Sequence, residues 1–304
     1  MSFPLIHHPG YTIDLPSNHP FPMAKFRVLR GQLGMEPAGH RAHWLTPVPV
    51  IEDDLRRVHT RDYLSVFLNG KLDDAAQRRS GFRWSEELVE RTRLEVGGTL
   101  LTVEAALEYG LACNTAGGTH HAQANAASGY CLLNDLAVAA AYALAKRWVK
   151  RILIVDLDVH QGDGTALIFR DDDRVFTFSM HGAENFPARK QQSDLDVPLP
   201  RGTGDDDYLA TLNAHLPKLL DQIAPNLVIY DAGVDVHADD RLGHLALSDW
   251  GLARRDDYVI RRCRDAGIPV AAVIGGGYDR DLAALADRHA QLHRAAYQYW
   301  LEKH

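Results

Sequence analysis

The segment Asp156-Leu157-Asp158-Val159-His160-Gln161-Gly162-Asp163-Gly164 places three carboxylates and a histidine directly behind an apolar run that begins at Arg151. A buried strand does not normally end in so much charge unless the charges have partners. Asp158 and His160 stand two apart, so extended backbone points both side chains the same way, and Asp156 shares that face. One carboxylate oxygen and one imidazole nitrogen converging in this manner make half of a divalent-metal site. A lone Asp-x-His reads more simply as a solvated loop with helix-capping aspartates, but the full string argues against that. The third ligand must come from elsewhere. Asp235, in Asp231-Ala232-Gly233-Val234-Asp235 behind another apolar run, is the natural candidate, with Asp231 and His237 as competitors. Three protein ligands leave a position open for water or substrate, as hydrolysis requires. Two carboxylates and an imidazole suit zinc, and also ferrous iron or cobalt.

Two further clusters could act on whatever the metal holds. His120-His121 follows Gly117-Gly118-Thr119, and tandem histidines at a glycine-rich strand exit can serve as general acid–base groups. An isolated pair of this kind, such as His7-His8, is better read as surface. His120-His121 gains weight because Asp156 and Asp163 are available to accept a ring N–H from each imidazole and raise its basicity. Gly275-Gly276-Gly277-Tyr278 forms an adaptable turn that brings backbone close to a ligand, with a phenol able to donate to a carbonyl oxygen. Alone, that turn is an ordinary glycine bend with a half-buried tyrosine.

All these residues sit just beyond short β-branched runs: Arg151 to Asp156, Val175 to Met180, Leu227 to Ala232 and Pro269 to Ile274, with a shorter run from Leu111 to Ala116. Their nearly continuous apolar character predicts strands buried on both faces. Helical patterns lie between them. One starts at Ser85, a second runs from Asn134-Asp135 through Lys146, a third carries Leu209 to Ile223, and a fourth runs from Ser248 to near Gly267. Gly97-Gly98 interrupts the first at roughly 1 kcal/mol per glycine, which predicts close packing against a neighbour. The expected fold is α/β: one domain over residues 1–304, built on a mainly parallel sheet with helices on both faces and ligands at the carboxyl edge.

The composition agrees with an enzyme of this class. The 304 residues are 46% hydrophobic, enough for one large core. Lys+Arg of 33 against Asp+Glu of 40 gives a formal charge of -7 without any basic run, which predicts no direct nucleic-acid partner. Cys113, Cys131 and Cys263 lie far apart, which suits a reducing compartment rather than a disulfide framework. The start of the chain does not read as a signal peptide, and Leu136 to Ala145 is far short of the ~20 residues that span a bilayer. A cytoplasmic protein without a membrane association is expected; its oligomeric state is open.

The motifs GGTHHA, SGYCLLND, ILIVDLDVHQGDG, DAGVD and GGGY, in this order from Gly117 to Tyr278, resemble the zinc-dependent histone deacetylases of the arginase/deacetylase superfamily. The HQG triplet, His19-Pro20-Phe21, and Asp240-Arg241-Leu242-Gly243 followed by Leu247-Ser248 most resemble the class IV branch. The resemblance implies one zinc per chain on Asp158, His160 and Asp235. It implies His121 with Asp163 as general base and then acid, His120 with Asp156 as electrostatic support, and Tyr278 as the carbonyl-polarising phenol. Gly129, Tyr130, Phe186 and Gly276 match substrate-binding positions. Asp156, Asp158, His160, Ser179 and Met180 match a potassium site, with an outer one near Phe169 and Val175. Tyr130 stands where the family usually has phenylalanine. The segment Arg78 to Trp84, where an acidic substrate anchor is expected, has no Asp or Glu. The implied reaction is hydrolysis of an acyl-amide, foremost N-acyl-lysine on a peptide or protein. An acetylpolyamine or another small acylated amine is the alternative substrate, and an acyl-lysine-binding protein without catalysis is the non-enzymatic alternative.

Overall fold

The computed structural model describes residues 2–303. Eight strands form one sheet: β1 (Pro4–Ile6), β2 (His43–Leu45), β3 (Leu111–Asn114), β4 (Ile152–Asp156), β5 (Val175–Gly182), β6 (Leu195–Leu199), β7 (Leu227–Asp231) and β8 (Val270–Val273). Their order is β2-β1-β3-β8-β7-β4-β5-β6, and every neighbouring pair is parallel. The sheet is therefore wholly parallel. β3, β4, β7 and β8 are buried along their full length, as their apolar sequences require. The edge strands β2 and β6 are mostly half-buried or exposed, and with three-residue β1 they leave no apolar run to read.

Helices bury the sheet. Ser85, Asn134 and Ser248 cap the helices Glu86–Tyr109, Asp135–Ala145 and Asp249–Asp265, each accepting a hydrogen bond from a first-turn N–H. Glu86–Tyr109 packs on β3 and β8 and continues without a break through Gly97 and Gly98. A Cβ at Gly97 would strike the Val48 carbonyl and one at Gly98 the Tyr11 hydroxyl, so these glycines permit the close packing expected of them. The last helix, Leu282–Lys303, packs against Lys25–Gly34 and Asp249–Asp265.

Strand order explains the site. In a parallel sheet all carboxyl ends lie on one edge, and β3, β8, β7 and β4 are consecutive there. The four segments with chemical side chains, which begin at Thr115, Asp156, Asp231 and Ile274, thus leave four adjacent strands at the edge where ligands bind.

Candidate active site at the carboxyl edge of the sheet

Asp158, His160 and Asp235 meet, with one ligand atom from each lying within 4.8 Å of the others, and all three are buried. His160 Nδ1 lies 3.0 Å from Asp158 Oδ1 and 3.1 Å from Asp235 Oδ2. Backbone fixes the remaining oxygens: Gly276 N–H donates to Asp158 Oδ2 (2.8 Å) and Val159 N–H to Asp235 Oδ1 (2.9 Å). Asp235 Oδ2 has no hydrogen-bond partner among the described residues. Burial opposes a charge on His160, but Asp158 and Asp235 outweigh it and push the imidazole up to about 10. Burial and the Asp158 charge in turn hold Asp235 up at about 7. Groups that compete this strongly for a proton form a cation site, and the unpartnered oxygen is a ready ligand. The donor set fits a divalent metal. A Cβ at Gly276 would collide with both aspartates, so glycine is needed where the turn passes under the site.

Of the competitors for the third position, His237 faces Asp249 (3.4 Å) and Asp239 (3.8 Å), outside the cluster. Asp231 joins a different group, with His120 and Asp156.

The tandem histidines lie beside the cluster, their ring centroids 4.2 Å apart. His120 Nδ1 is 2.7 Å from Asp156 Oδ2 and His121 Nδ1 is 2.6 Å from Asp163 Oδ1. Their electrostatics differ. For His120, burial is outweighed by Asp156, Asp158 and Asp231, so its affinity for a proton is well above that of an ordinary imidazole. Burial and the neighbouring His120 push His121 down to about 4 against the pull of Asp163, leaving a neutral base at pH 7. Tyr278 is buried, and burial together with Asp158 and Asp235 raises its phenol well above the usual range, so it remains a donor.

A cavity of about 270 Å³ opens over these groups, bounded by His121, His160, Tyr130, Phe186 and Tyr278. Phe186 is 45% exposed at its rim and stands edge-on to His121 at 4.8 Å. Tyr130 lies 5.9 Å from Tyr278 and adopts a positive φ of 64°, beside Gly129 at 52°. Tyr130 and Phe186, expected as channel walls, thus line the cavity together with His121, His160 and Tyr278. Ser179 pairs in register with Asp156 across β4 and β5, and Met180 follows it, buried. Phe169 closes the helix Asp163–Phe169 and Val175 opens β5.

Several supporting residues were not anticipated. Asp240 accepts from Tyr278 N–H (2.7 Å) and from the N–H groups of Leu242 and Gly243, fixing the start of the tyrosine. Buried Lys25 donates to Gly275 O (3.0 Å). Asp135 accepts from Gly118 N–H, Thr119 N–H and the hydroxyls of Thr99 and Thr119, pinning the loop before the histidines. Arg255 is fully buried and donates to the carbonyls of Leu157, Ala232 and Gly233, tying the exits of β4 and β7 together. Lys25 and Arg255 carry no local motif. Asp240 stood in a segment singled out for its likeness, without a role.

Residues 19–293 match the model of the histone deacetylase domain. The chain is 53% identical to an uncharacterised protein of Picosynechococcus sp. over 97% of this chain and 99% of that one. It is 32% identical to histone deacetylase 2 of Arabidopsis thaliana, covering 82% of this chain and 67% of the relative. It is 30% identical to the acetoin utilization protein AcuC of Staphylococcus aureus, covering 67% and 59%. With the match running across nearly the whole sheet and through every side chain of the carboxyl-edge cluster, the chain belongs to the histone deacetylase family of the arginase/deacetylase superfamily.

Proposed function

We propose that the protein is a zinc-dependent hydrolase that removes the acyl group from N-acyl-lysine. The observation that carries this reading is the convergence of Asp158, His160 and Asp235 on one point, under a narrow cavity that also presents a neutral imidazole and a protonated phenol. Zinc held by those three residues would lower the pKa of a water and polarise the acyl carbonyl. His121, neutral and oriented by Asp163, takes the proton of the attacking water and returns it to the leaving amine. Tyr278 donates its phenol hydrogen to the oxygen on which charge develops. His120, with its positive charge favoured by Asp156, stabilises that charge from the other side. Tyr130 and Phe186 enclose the lysine stem, with Gly129 beside them and Gly276 in the turn beneath. Potassium on Asp156, Asp158, His160, Ser179 and Met180 would brace the same loop.

The residues at His19-Pro20-Phe21, Gln161 and Asp240 to Gly243 support placement in the class IV branch, although the relatives above do not single that branch out. No helix among the described residues is long and apolar enough to cross a membrane. The test is an acyl-chain-length series on lysine peptides, run beside acetylated polyamines, with zinc-loaded and chelated protein. Turnover of acyl-lysine only with metal is expected. Turnover confined to polyamines would move the substrate class, and binding without turnover of any acyl amine would refute the catalytic reading.

A further inference from the structure

The segment Gln77-Arg78-Arg79-Ser80-Gly81-Phe82-Arg83-Trp84 holds three arginines and no carboxylate, in a chain whose formal charge is -7. It forms part of the lining of a groove of about 790 Å³, to which residues between 13 and 20 also contribute. The groove adjoins the cavity over the metal cluster. A Cβ at Gly81 would come within 2.5 Å of the Tyr130 ring, and the carbonyls of Arg79 and Ser80 accept from the N–H groups of Gly129 and Tyr130. Its walls are fixed by hydrogen bonds. His19 Nδ1 accepts from Phe21 N–H (3.1 Å), so Nε2 carries the hydrogen and donates to Gly81 O (2.9 Å), while the ring stacks on Phe82 at 5.3 Å. Trp84 donates from its indole to Phe67 O (2.7 Å) and from its backbone to Gln77 Oε1 (2.9 Å). Leu15, Phe82 and Trp84 supply apolar lining.

Charge along the groove is graded. Arg78 and Arg79 lie in the last turn of the helix Asp74–Ser80, the end beside Tyr130, and Arg83 follows two residues after Gly81. The carboxylates of the lining are Asp14 and Asp74, and Asp74 lies in the first turn of that helix, about 9 Å along the axis from Ser80. Arg78 and Arg83 are exposed, and no ion pair among the described residues engages either. Exposed Arg241 precedes Leu242 of the cavity wall and adds positive charge that acts on the Tyr130 phenol. We propose that the groove is a docking subsite for the polypeptide that flanks the acyl-lysine, and that it selects a segment with acidic residues close to that lysine. The proposal rests on the acyl-lysine reading above. An extended chain advances about 3.4 Å per residue, so a carboxylate two or three positions from the lysine falls about 7–10 Å from the cavity mouth, within reach of the arginine-bearing end. Exposed ion pairs are individually weak, so two acids against two arginines should give a preference of about 3–10-fold.

Zinc-loaded full-length Tyr278→Phe protein, titrated with fluorescein-labelled acetyl-lysine peptides and read by anisotropy, tests the proposal through binding rather than turnover. The peptides carry Asp-Asp, Ser-Ser or Lys-Lys two and three residues before the acetyl-lysine in one set, and after it in a second. In at least one set the Asp-Asp peptide should bind about 3–10-fold more tightly than Ser-Ser, with Lys-Lys weakest, and the spread should shrink as sodium chloride rises from about 50 to about 500 mM. Adding Arg78→Glu and Arg83→Glu should invert the order. Equal affinities in both sets, a preference insensitive to salt, or an order that survives both substitutions overturns the proposal. An Asp-Asp peptide that binds equally well with unacetylated lysine also overturns it, because docking would then be separate from the cavity. Should the arginine variant fail to fold, the order and its salt dependence in the parent protein decide the matter. Wild-type turnover is scored separately: peptides that bind in the expected order but are never cleaved support the groove and refute the hydrolase reading.

Discussion

His59 should make the stability of this protein acid-sensitive because its ring is buried. Its ring is 2% exposed and bridges two segments. Nε2 accepts from Asn134 N–H (3.0 Å), so Nδ1 must carry the hydrogen, which it donates to Gln123 O (3.1 Å). Asn134 in turn donates to the carbonyls of His120 and Ala122, so His59 underpins the loop that carries the tandem histidines. Burial pushes its pKa down to about 4. Below the ordinary value near 6.5 the unfolded chain therefore binds a proton that the folded chain refuses until about pH 4, and stability falls as pH drops through that window. At pH 5 the two states differ about 30-fold in proton binding, which converts to about 2 kcal/mol lost relative to pH 8. His59→Leu removes this contribution but leaves Asn134 N–H and Gln123 O unpartnered, at a cost of about 1–3 kcal/mol at pH 8. Urea unfolding followed by tryptophan fluorescence, with both proteins metal-free, should show the variant weaker at pH 8 and the gap closing toward pH 5. Parallel stability–pH curves for the two proteins would refute the reasoning.

Tyr278→Phe should lower kcat on an acyl-lysine peptide by about 10²–10³-fold while leaving the metal content unchanged, because it removes one donor to the developing oxyanion; a fully active variant would exclude the assigned role. Gly276→Ala should weaken binding of zinc at Asp158, His160 and Asp235, read by equilibrium dialysis, because its methyl group meets Asp158 and Asp235. Glu95→Gln should cost about 3–5 kcal/mol in unfolding free energy. It breaks a buried bidentate pair with Arg91, both contacts at 2.8 Å, and leaves the guanidinium uncompensated. Treatment with a chelator should lower the melting temperature, since the buried carboxylates of Asp158 and Asp235 then lose their cation, and zinc should restore it.

Strand exits were legible in the sequence for a physical reason. A strand buried on both faces has to be apolar throughout, so the first charged residue marks both its end and the edge of the sheet. This is how β4, β7 and β8 disclosed Asp156, Asp231 and the Gly275 turn, and the spacing of two between Asp158 and His160 followed from extended geometry. Edge strands give no such contrast: β6, with Asp196 and Pro198 in a half-buried row, could not be told from a loop. The helix Leu282–Lys303 escaped for the opposite reason. Its buried stripe includes Arg288, His289 and His293, polar residues that hide the period of Leu285, Leu292, Ala296 and Trp300.

The residues that hold the site were hidden for a third reason, which bears on how the site works. Arg255 lies 98 residues from the Leu157 carbonyl it binds, and Lys25 lies 250 residues from Gly275. Neither has a neighbour in sequence with which to form a pattern. Both donate to backbone rather than to a catalytic side chain, so their task is to fix loop carbonyls and not to react. A cluster of buried carboxylates repels itself, and loops carrying such charge would spread apart unless held from behind. Arg255, closing β4 against β7 through three carbonyls, supplies that restraint between the Asp156–His160 and Asp231–Asp235 segments. The order of the sheet makes these two segments adjacent, Arg255 holds them there, and the metal proposed above would complete the balance of charge.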